Sequence, residues 1–187
     1  MAVAIAINIS VGYLVQTVLR LPIYMDSIGT VLVAALAGPW AGLATGALSN
    51  LIWGFTIGPI TIAPFFVTAA VIGLMAGLFG ARRWFASSGG TRTAVLAVLA
   101  GLITGLVAAI VSAPIAYFVF GGTTGSGTDA LVIFFRGVTD NILTATFAQG
   151  VVSDPLDKAI TFLVAFAILV AVPLTVKTSF PQGEKTI

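Results

Sequence analysis

Three long apolar stretches of this chain contain no Lys, Arg, Asp or Glu: residues 27–81, 93–128 and 159–176. A helix needs about 20 apolar residues to cross a bilayer. The first stretch therefore has room for two or three crossings, and the other two for about one each. Together with the apolar N-terminus, this pattern predicts an all-α membrane protein, a single domain over residues 1–187 built as a compact six-helix bundle. The helices are placed at about 2–19, 27–38, 39–55, 60–81, 93–120 and 157–176.

The second and third predicted helices are separated only by the pair Gly38-Pro39. Because proline removes a helix hydrogen bond, this stretch is either one kinked helix or two short helices joined by a tight turn. The two-helix reading gives an even number of crossings and places both termini on one side. Basic residues mark the cytoplasmic side of membrane proteins, so we expect both termini there. The basic residues that fall on that side are Arg82, Arg83, Arg92, Lys177 and Lys185.

Composition excludes several classes of protein. With 59% apolar and 7% charged residues and a mean hydropathy of +1.15, the chain lacks the polar surface of a water-soluble domain. No Cys or His is present, which removes disulfides, thiol nucleophiles and His-ligated metals, and we expect no metal and no cofactor. The eight basic residues are scattered and form no stripe for a nucleic acid. Because a basic leader region is missing, we interpret the N-terminus as a retained first helix.

Small residues recur at intervals of four in several predicted helices. This spacing puts them on one helix face, where they let two backbones approach closely. The longest stripe runs from Ala97 to Ala113, and we interpret the stripes of the third to fifth helices as packing inside the bundle. The first helix carries Ala2, Ala6 and Ser10 on one face, which suits docking of another membrane protein equally well.

Polar side chains gather near the outer ends of the predicted helices and in the first outer loop. Such groups are costly in a bilayer and normally face a bundle interior or a watered cavity, so we predict an outward-opening pocket. Asp26 is suited both to a ligand contact and to an N-cap, and Trp53 and Tyr117 are also typical of an interfacial belt. The candidate ligand contacts in this group are Gln16, Tyr24, Asp26, Asn50, Trp53 and Tyr117.

Residues 121–156 are predicted to form an outer loop that starts as a flexible Gly/Thr/Ser linker. Apolar residues then follow three- and four-residue steps, which indicates an amphipathic helix on or in the outer surface. One interpretation is a lid over the pocket, and the other is a salt-bridged surface helix. As a lid, this segment would bring three further polar side chains to an incoming solute: Arg136, Asp140 and Asn141.

The run SDPLDKAITF is interpreted as the start of the last helix, with Ser153 or Asp154 as its cap. On this interpretation all six acidic residues lie in loops or at helix ends, which leaves no buried carboxylate pair for catalysis. A phosphate-binding G-x-x-x-x-G-K-[ST] motif is also missing. We therefore expect a protein that is not an enzyme.

These features resemble the substrate-binding S components of energy-coupling factor (ECF) transporters, the ABC transporters that import vitamins. The resemblance rests on the A-x-x-x-A of Ala2 and Ala6, the segment LPIYMDSIGTVLVAALAGPWAGLATGALSN, and the runs GLMAGLFGARR and DPLDKAITFLVAF. It implies a binding subunit in a bacterial or archaeal plasma membrane, with a vitamin-like substrate held near the outer face. It also implies a transmembrane coupling subunit and two cytosolic ATPases as partners. The coupling subunit would dock on the face formed by Ala2, Ala6 and Ser10, and the subunit would topple in the membrane to release its cargo.

Two other functions compete with this one. A sensor input domain shares the Gly-Pro-rich multi-helix pattern, but it would be fused to a cytosolic kinase. A stand-alone facilitator would need a polar stripe across the bilayer, whereas the predicted inner halves are nearly pure Ala, Leu, Val and Gly. The mixture of aromatic, amide, Asp and Arg side chains suits a flat heterocycle such as a pyrimidine, pterin or flavin fragment, and many other small molecules.

Overall fold

The chain is all-helical, with 78% of its residues in helices and no strand among the residues described. A computed structural model describes residues 1–187 with the exception of Gly89. The first helix continues beyond its α-helical part as the π-helical segment Tyr13–Val18, and 3₁₀ turns occupy Ile60–Phe65 and Gly183–Thr186. The α-helices are α1 (Ala2–Gly12), α2 (Ile28–Ala37), α3 (Pro39–Thr56), α4 (Phe66–Ala81), α5 (Gly90–Phe120), α6 (Asp129–Arg136), α7 (Ile142–Ala171) and α8 (Leu174–Lys177).

Gly38 and Pro39 divide the second apolar stretch into two separate helices. Gly38 has a φ of 100°, a conformation that glycine adopts without steric cost. Pro39 is the first residue of α3, where its missing N–H would have no helical partner anyway. The chain therefore reverses within two residues, and α2 and α3 lie side by side.

The last long helix differs most from the sequence prediction. α7 begins at Ile142, and its cap is Asn141, whose Oδ1 accepts hydrogen bonds from the backbone N–H groups of Leu143 (2.9 Å) and Thr144 (3.2 Å). The prediction that Ser153 or Asp154 caps this helix is wrong, because both residues are buried in its middle. The predicted outer loop over residues 121–156 likewise contains α6 and the first half of α7.

Glycines allow the long helices to pack at backbone distance. A Cβ atom at Gly105 of α5 would lie 2.5 Å from the backbone N of Pro155 in α7. A Cβ atom at Gly42 of α3 would lie 2.5 Å from the carbonyl O of Gly73 in α4. Since real Cβ atoms are not found at such distances, these positions require glycine. The small-residue stripes of these helices are thus internal packing surfaces, as expected.

Asn8 links α1 to α2 and α3 through side-chain hydrogen bonds. Its Oδ1 accepts hydrogen bonds from the backbone N–H groups of Gly29 (2.7 Å) and Thr30 (3.3 Å), so α1 supplies partners for the N-terminus of α2. Its Nδ2 donates to Thr30 Oγ1 (2.7 Å) and to Ser49 Oγ of α3 (2.9 Å). All the bonding capacity of this buried amide is used within the bundle.

In the described part of the chain, two helical segments are long and apolar enough to cross a bilayer by length and composition. They are Ile60–Ala81, with a mean hydropathy of 2.2, and Gly90–Phe120, with 2.7. α7 is nearly as long as α5, but its middle carries Asp154, Asp157 and Lys158.

Candidate functional site

A cavity of about 110 Å³ lies inside the bundle near the C-terminal ends of α1, α3 and α5. Its wall is completed by the beginning of α4, the first half of α7 and the segment between α5 and α6. This volume has room for several waters or a small organic molecule. Of the nine predicted ligand contacts, four line it: Gln16, Tyr24, Asp26 and Asn50.

A buried ionic cluster forms the α7 side of this region. Lys158 pairs with Asp157, and its Nζ lies 3.6 Å from Asp26 Oδ1. Asp157 is fully buried, and its Oδ1 accepts the backbone N–H groups of Tyr24 (3.0 Å) and Met25 (2.7 Å). The segment between α1 and α2, which the sequence suggested was an outer loop, is therefore folded into the bundle and held against the middle of α7.

Asp26 faces the cavity instead of capping α2. Ser27 occupies the cap position of α2 without a side-chain hydrogen bond, and Asn8 bonds the first N–H groups of that helix. Gln16 Nε2 donates to Asp26 Oδ2 (3.3 Å) and to the carbonyl O of Tyr24 (3.2 Å). Of its two predicted roles, the structure excludes the N-cap.

Tyr24 joins the same segment to α7 and α6. Its hydroxyl donates to Thr128 Oγ1 (3.4 Å) and accepts from Gln149 Nε2 (3.2 Å), and Gln149 also bonds to Ser153. The phenol thus acts as both donor and acceptor within the bundle.

Three polar side chains of the cavity wall have unused bonding capacity. Asn50 is only 5% exposed and makes no side-chain hydrogen bond to any residue described. Thr68 Oγ1 is buried and has no partner in the described part of the chain. Asp154, also buried, accepts only the hydroxyl of Ser112 among the described residues, at 3.2 Å. Buried polar groups without partners are costly, so this wall is suited to a polar ligand.

Two aromatic candidates lie outside the cavity wall. Trp53 is almost completely buried, and its Nε1 has no partner among the described residues. It packs against Gly12 and Gly58, so it is a core residue and not part of an interfacial belt. Tyr117 is half-buried and packs edge-on against Phe118, with ring centroids 4.9 Å apart.

The three candidates from the predicted lid also lie outside the cavity wall. Arg136 and Asp140 are exposed and form no ion pair with each other, so neither the lid contact nor the salt-bridged helix is observed. Asn141 is exposed and caps α7. The helical segment α6 itself does exist, but the periodicity of its residues did not show which of them face the bundle. Its buried contact is Val132.

Sequence reasoning missed the residues that α7 contributes. The prediction that all six acidic residues lie in loops or at helix ends is wrong for Asp154 and Asp157. One signal was available, because Asp154 and Lys158 are four residues apart and would share a face of a continuous helix. The residues of α7 that the sequence analysis did not propose as contacts, and that line the cavity or its ionic cluster, are Thr146, Gln149, Asp154, Asp157 and Lys158.

Within the described residues, no group of three or more Asp, Glu, His or Cys side chains is arranged to hold a metal ion. Comparisons with protein-family models, with curated proteins and with solved structures find no match to this chain.

Proposed function

We propose that this protein is the substrate-binding subunit of an ECF-type importer, which captures a vitamin-like molecule from outside the cell. The observation that carries the proposal is a cavity whose polar and charged side chains are buried inside a bundle with an apolar surface. Charged groups inside such a bundle are costly and normally belong to a binding site or a transport pathway. The protein itself would catalyse no reaction.

The outer surface supports a position in the bilayer. Trp40, Phe55 and Phe118 are 75%, 70% and 77% exposed, whereas Lys158 is only 2% exposed. A soluble domain shows the opposite distribution, and extended apolar surfaces indicate contact with lipid or with another protein. We propose a multi-pass protein of a bacterial or archaeal plasma membrane, with both termini in the cytoplasm.

The six proposed crossings are α1, α2, α3, α4, α5 and α7. α2 has only 10 residues, which at 1.5 Å per residue span about half of the hydrocarbon layer. A Cβ atom at Gly29 would meet the backbone of Ala4, so α2 begins beside the N-terminal half of α1. The second crossing therefore comprises α2 together with the non-helical segment that precedes it.

The closed end of the bundle favours binding over free passage. Beyond the cavity, α5 packs against α7 at Gly101, and α4 packs against Pro39 at Gly77, both at backbone distance. A facilitator needs a polar path along its whole length, and these contacts leave little room for one. Release of a bound molecule would then need the coupling subunit and the two ATPases.

Native mass spectrometry tests this function directly. The protein is purified from cells grown on rich medium, and we expect a small molecule to co-purify with it. The same preparation in lipid nanodiscs controls for loss of the molecule in detergent. A chain that is reproducibly empty in both would contradict the proposed binding function.

Asn50→Ala and Asp26→Ala are each expected to lower affinity for the co-purified molecule about tenfold. Each substitution removes one polar contact in the cavity, and a hydrogen bond there is worth about 1–1.5 kcal/mol. Isothermal titration calorimetry on refilled protein measures the change. Glu184→Ala is the matched control, since Glu184 is exposed on the C-terminal 3₁₀ turn. If both variants fold and neither loses affinity, the cavity is not the binding site.

A further inference from the structure

The hydrogen-bond donors of the cavity wall are largely engaged by the protein itself. Gln16 Nε2 donates to Tyr24 O and Asp26 Oδ2, which occupies both of its N–H bonds. Gln149 Nε2 is engaged by Tyr24 Oη and Ser153 Oγ. An entering molecule therefore finds these two amides with little left to donate.

The positive charge of the cavity is engaged in the same way. Lys158 is the basic residue of the described cavity wall, and it pairs with Asp157 and lies 3.6 Å from Asp26. Two carboxylates thus already compete for one ammonium group. An anionic ligand would have to displace them, and each displaced carboxylate would be left without its cationic partner.

Hydrogen-bond acceptors of the cavity wall, in contrast, outnumber the donors and cations that the wall offers them. Three carboxylates line the cavity, those of Asp26, Asp129 and Asp154. Asp129 accepts the backbone N–H groups of Thr124 (3.0 Å) and Gly125 (2.8 Å). Asp154 is the exception, because it is 4% exposed and, among the described residues, accepts only the neutral hydroxyl of Ser112. It forms no ion pair with any of these residues.

We propose that the cavity takes an organic cation, a small molecule with a protonated amine or a cationic ring nitrogen, and that Asp154 is the carboxylate that pairs with it. This inference rests on the proposed binding function and specifies its substrate class. A cationic donor would supply an ion-pair partner to Asp154, the more buried of the two cavity carboxylates that form no ion pair within the described residues, and it would leave the pairing of Lys158 intact.

A second observation independently indicates a ligand at this place. Thr68 on α4 lines the cavity, and its buried Oγ1 has no hydrogen-bond partner in the described chain. Asn50 on α3 also lines it, with a side-chain amide that is free of partners there. These two groups belong to other helices than Asp154, and Phe65 adds an aromatic ring to the wall. The geometry suits a ring with its cationic group at α7 and a further polar group toward α3 and α4.

The test compares three probes of similar shape and different charge on the purified full-length protein. Benzylammonium, benzyl alcohol and benzoate are titrated at neutral pH, and binding is followed by thermal unfolding in detergent. We expect benzylammonium to bind at least tenfold more tightly than the other two. Asp154→Asn should remove this preference, whereas Glu184→Gln, at an exposed acid on the C-terminal turn, should keep it.

The outcomes separate this inference from the proposed function. If benzyl alcohol or benzoate binds as well as benzylammonium, or if Asp154→Asn folds and keeps the preference, the cavity binds small molecules but is not selective for cations. If no probe binds, the co-purified molecule decides: a cation at neutral pH supports the inference, and a neutral or anionic molecule overturns it. If no probe binds and no molecule co-purifies, the inference and the proposed function both fail.

Discussion

Replacing Lys158 with methionine is expected to lower the free energy of unfolding by about 3–5 kcal/mol, the usual cost of removing one partner of a buried ion pair. The side chain of Lys158 is 3% exposed, and its ammonium group serves both Asp157 and Asp26. Methionine keeps most of the side-chain volume, so lost packing cannot account for the effect. Thermal unfolding in detergent, followed by intrinsic fluorescence, measures it.

A second substitution shows whether the lost stability of Lys158→Met comes from the unbalanced buried charge. Lys158→Met combined with Asp157→Asn removes one buried negative charge, while the amide oxygen still accepts the N–H groups of Tyr24 and Met25. The double variant should recover part of the lost stability. Lys185→Met, at an exposed residue, should change nothing. A Lys158→Met protein as stable as the unmodified chain would show that the ionic cluster does not stabilise the fold.

The double substitution Ala2→Trp and Ala6→Trp is expected to abolish uptake and to spare ligand binding. Both alanines are exposed on the outer face of α1, together with Ser10, whereas Ala4 and Asn8 on the other face are buried. Bulky rings on this face would prevent the close helix approach that small residues allow. The cavity lies at the other end of the helix, at Gln16, so it should be unaffected. Uptake in cells and affinity of the purified protein are measured in parallel.

The matched control for this experiment is the pair Ala167→Trp and Ala171→Trp. These alanines are also exposed and four residues apart, but they lie on α7. Their replacement should leave uptake intact, because only the α1 face is proposed to meet the coupling subunit. If uptake survives tryptophans on α1, or fails equally with tryptophans on α7, the docking role of Ala2 and Ala6 is wrong.

The parts of the fold that depend on local chemistry were predictable from sequence. The apolar runs indicate helices, and the Gly38-Pro39 pair marks the reversal between α2 and α3, because each residue has its own backbone restriction. The glycine spacing in α3, α4 and α5 indicates faces that pack closely. Each of these signals lies within a short stretch of sequence, so it can be recognised without knowledge of the tertiary structure.

The start of α7 was not predictable in the same way. Ser153, Asp154 and Pro155 form a good local signature of a helix N-terminus, which predicts that the last helix starts there. In the structure Gly105 of α5 packs against Pro155, and the helix continues through the proline. Tertiary packing thus overrides a strong local signal, and no residue of the run itself reveals the partner glycine.

Part of the cavity lining was predicted from the sequence, but much of its chemistry was not. Gln16, Tyr24, Asp26 and Asn50 line one cavity, as expected from their common depth in the predicted bundle. The buried charges of α7 were hidden by the wrong helix boundary. Arg136 and Asp140 were proposed as contacts of a helical lid over the pocket, but periodicity alone does not determine which face of a short helix meets the core.

The hydrogen bonds of Asn8 determine how the helices can move when the protein reorients in the membrane. To swing α1 away from its neighbours, the protein would have to break all four of the hydrogen bonds that this amide makes to α2 and α3, each worth about 1 kcal/mol and more when the freed groups stay buried. A torque applied at Ala2 and Ala6 is therefore transmitted to three helices at once. The bundle should tilt as one rigid block, carrying the cavity and its contents with it.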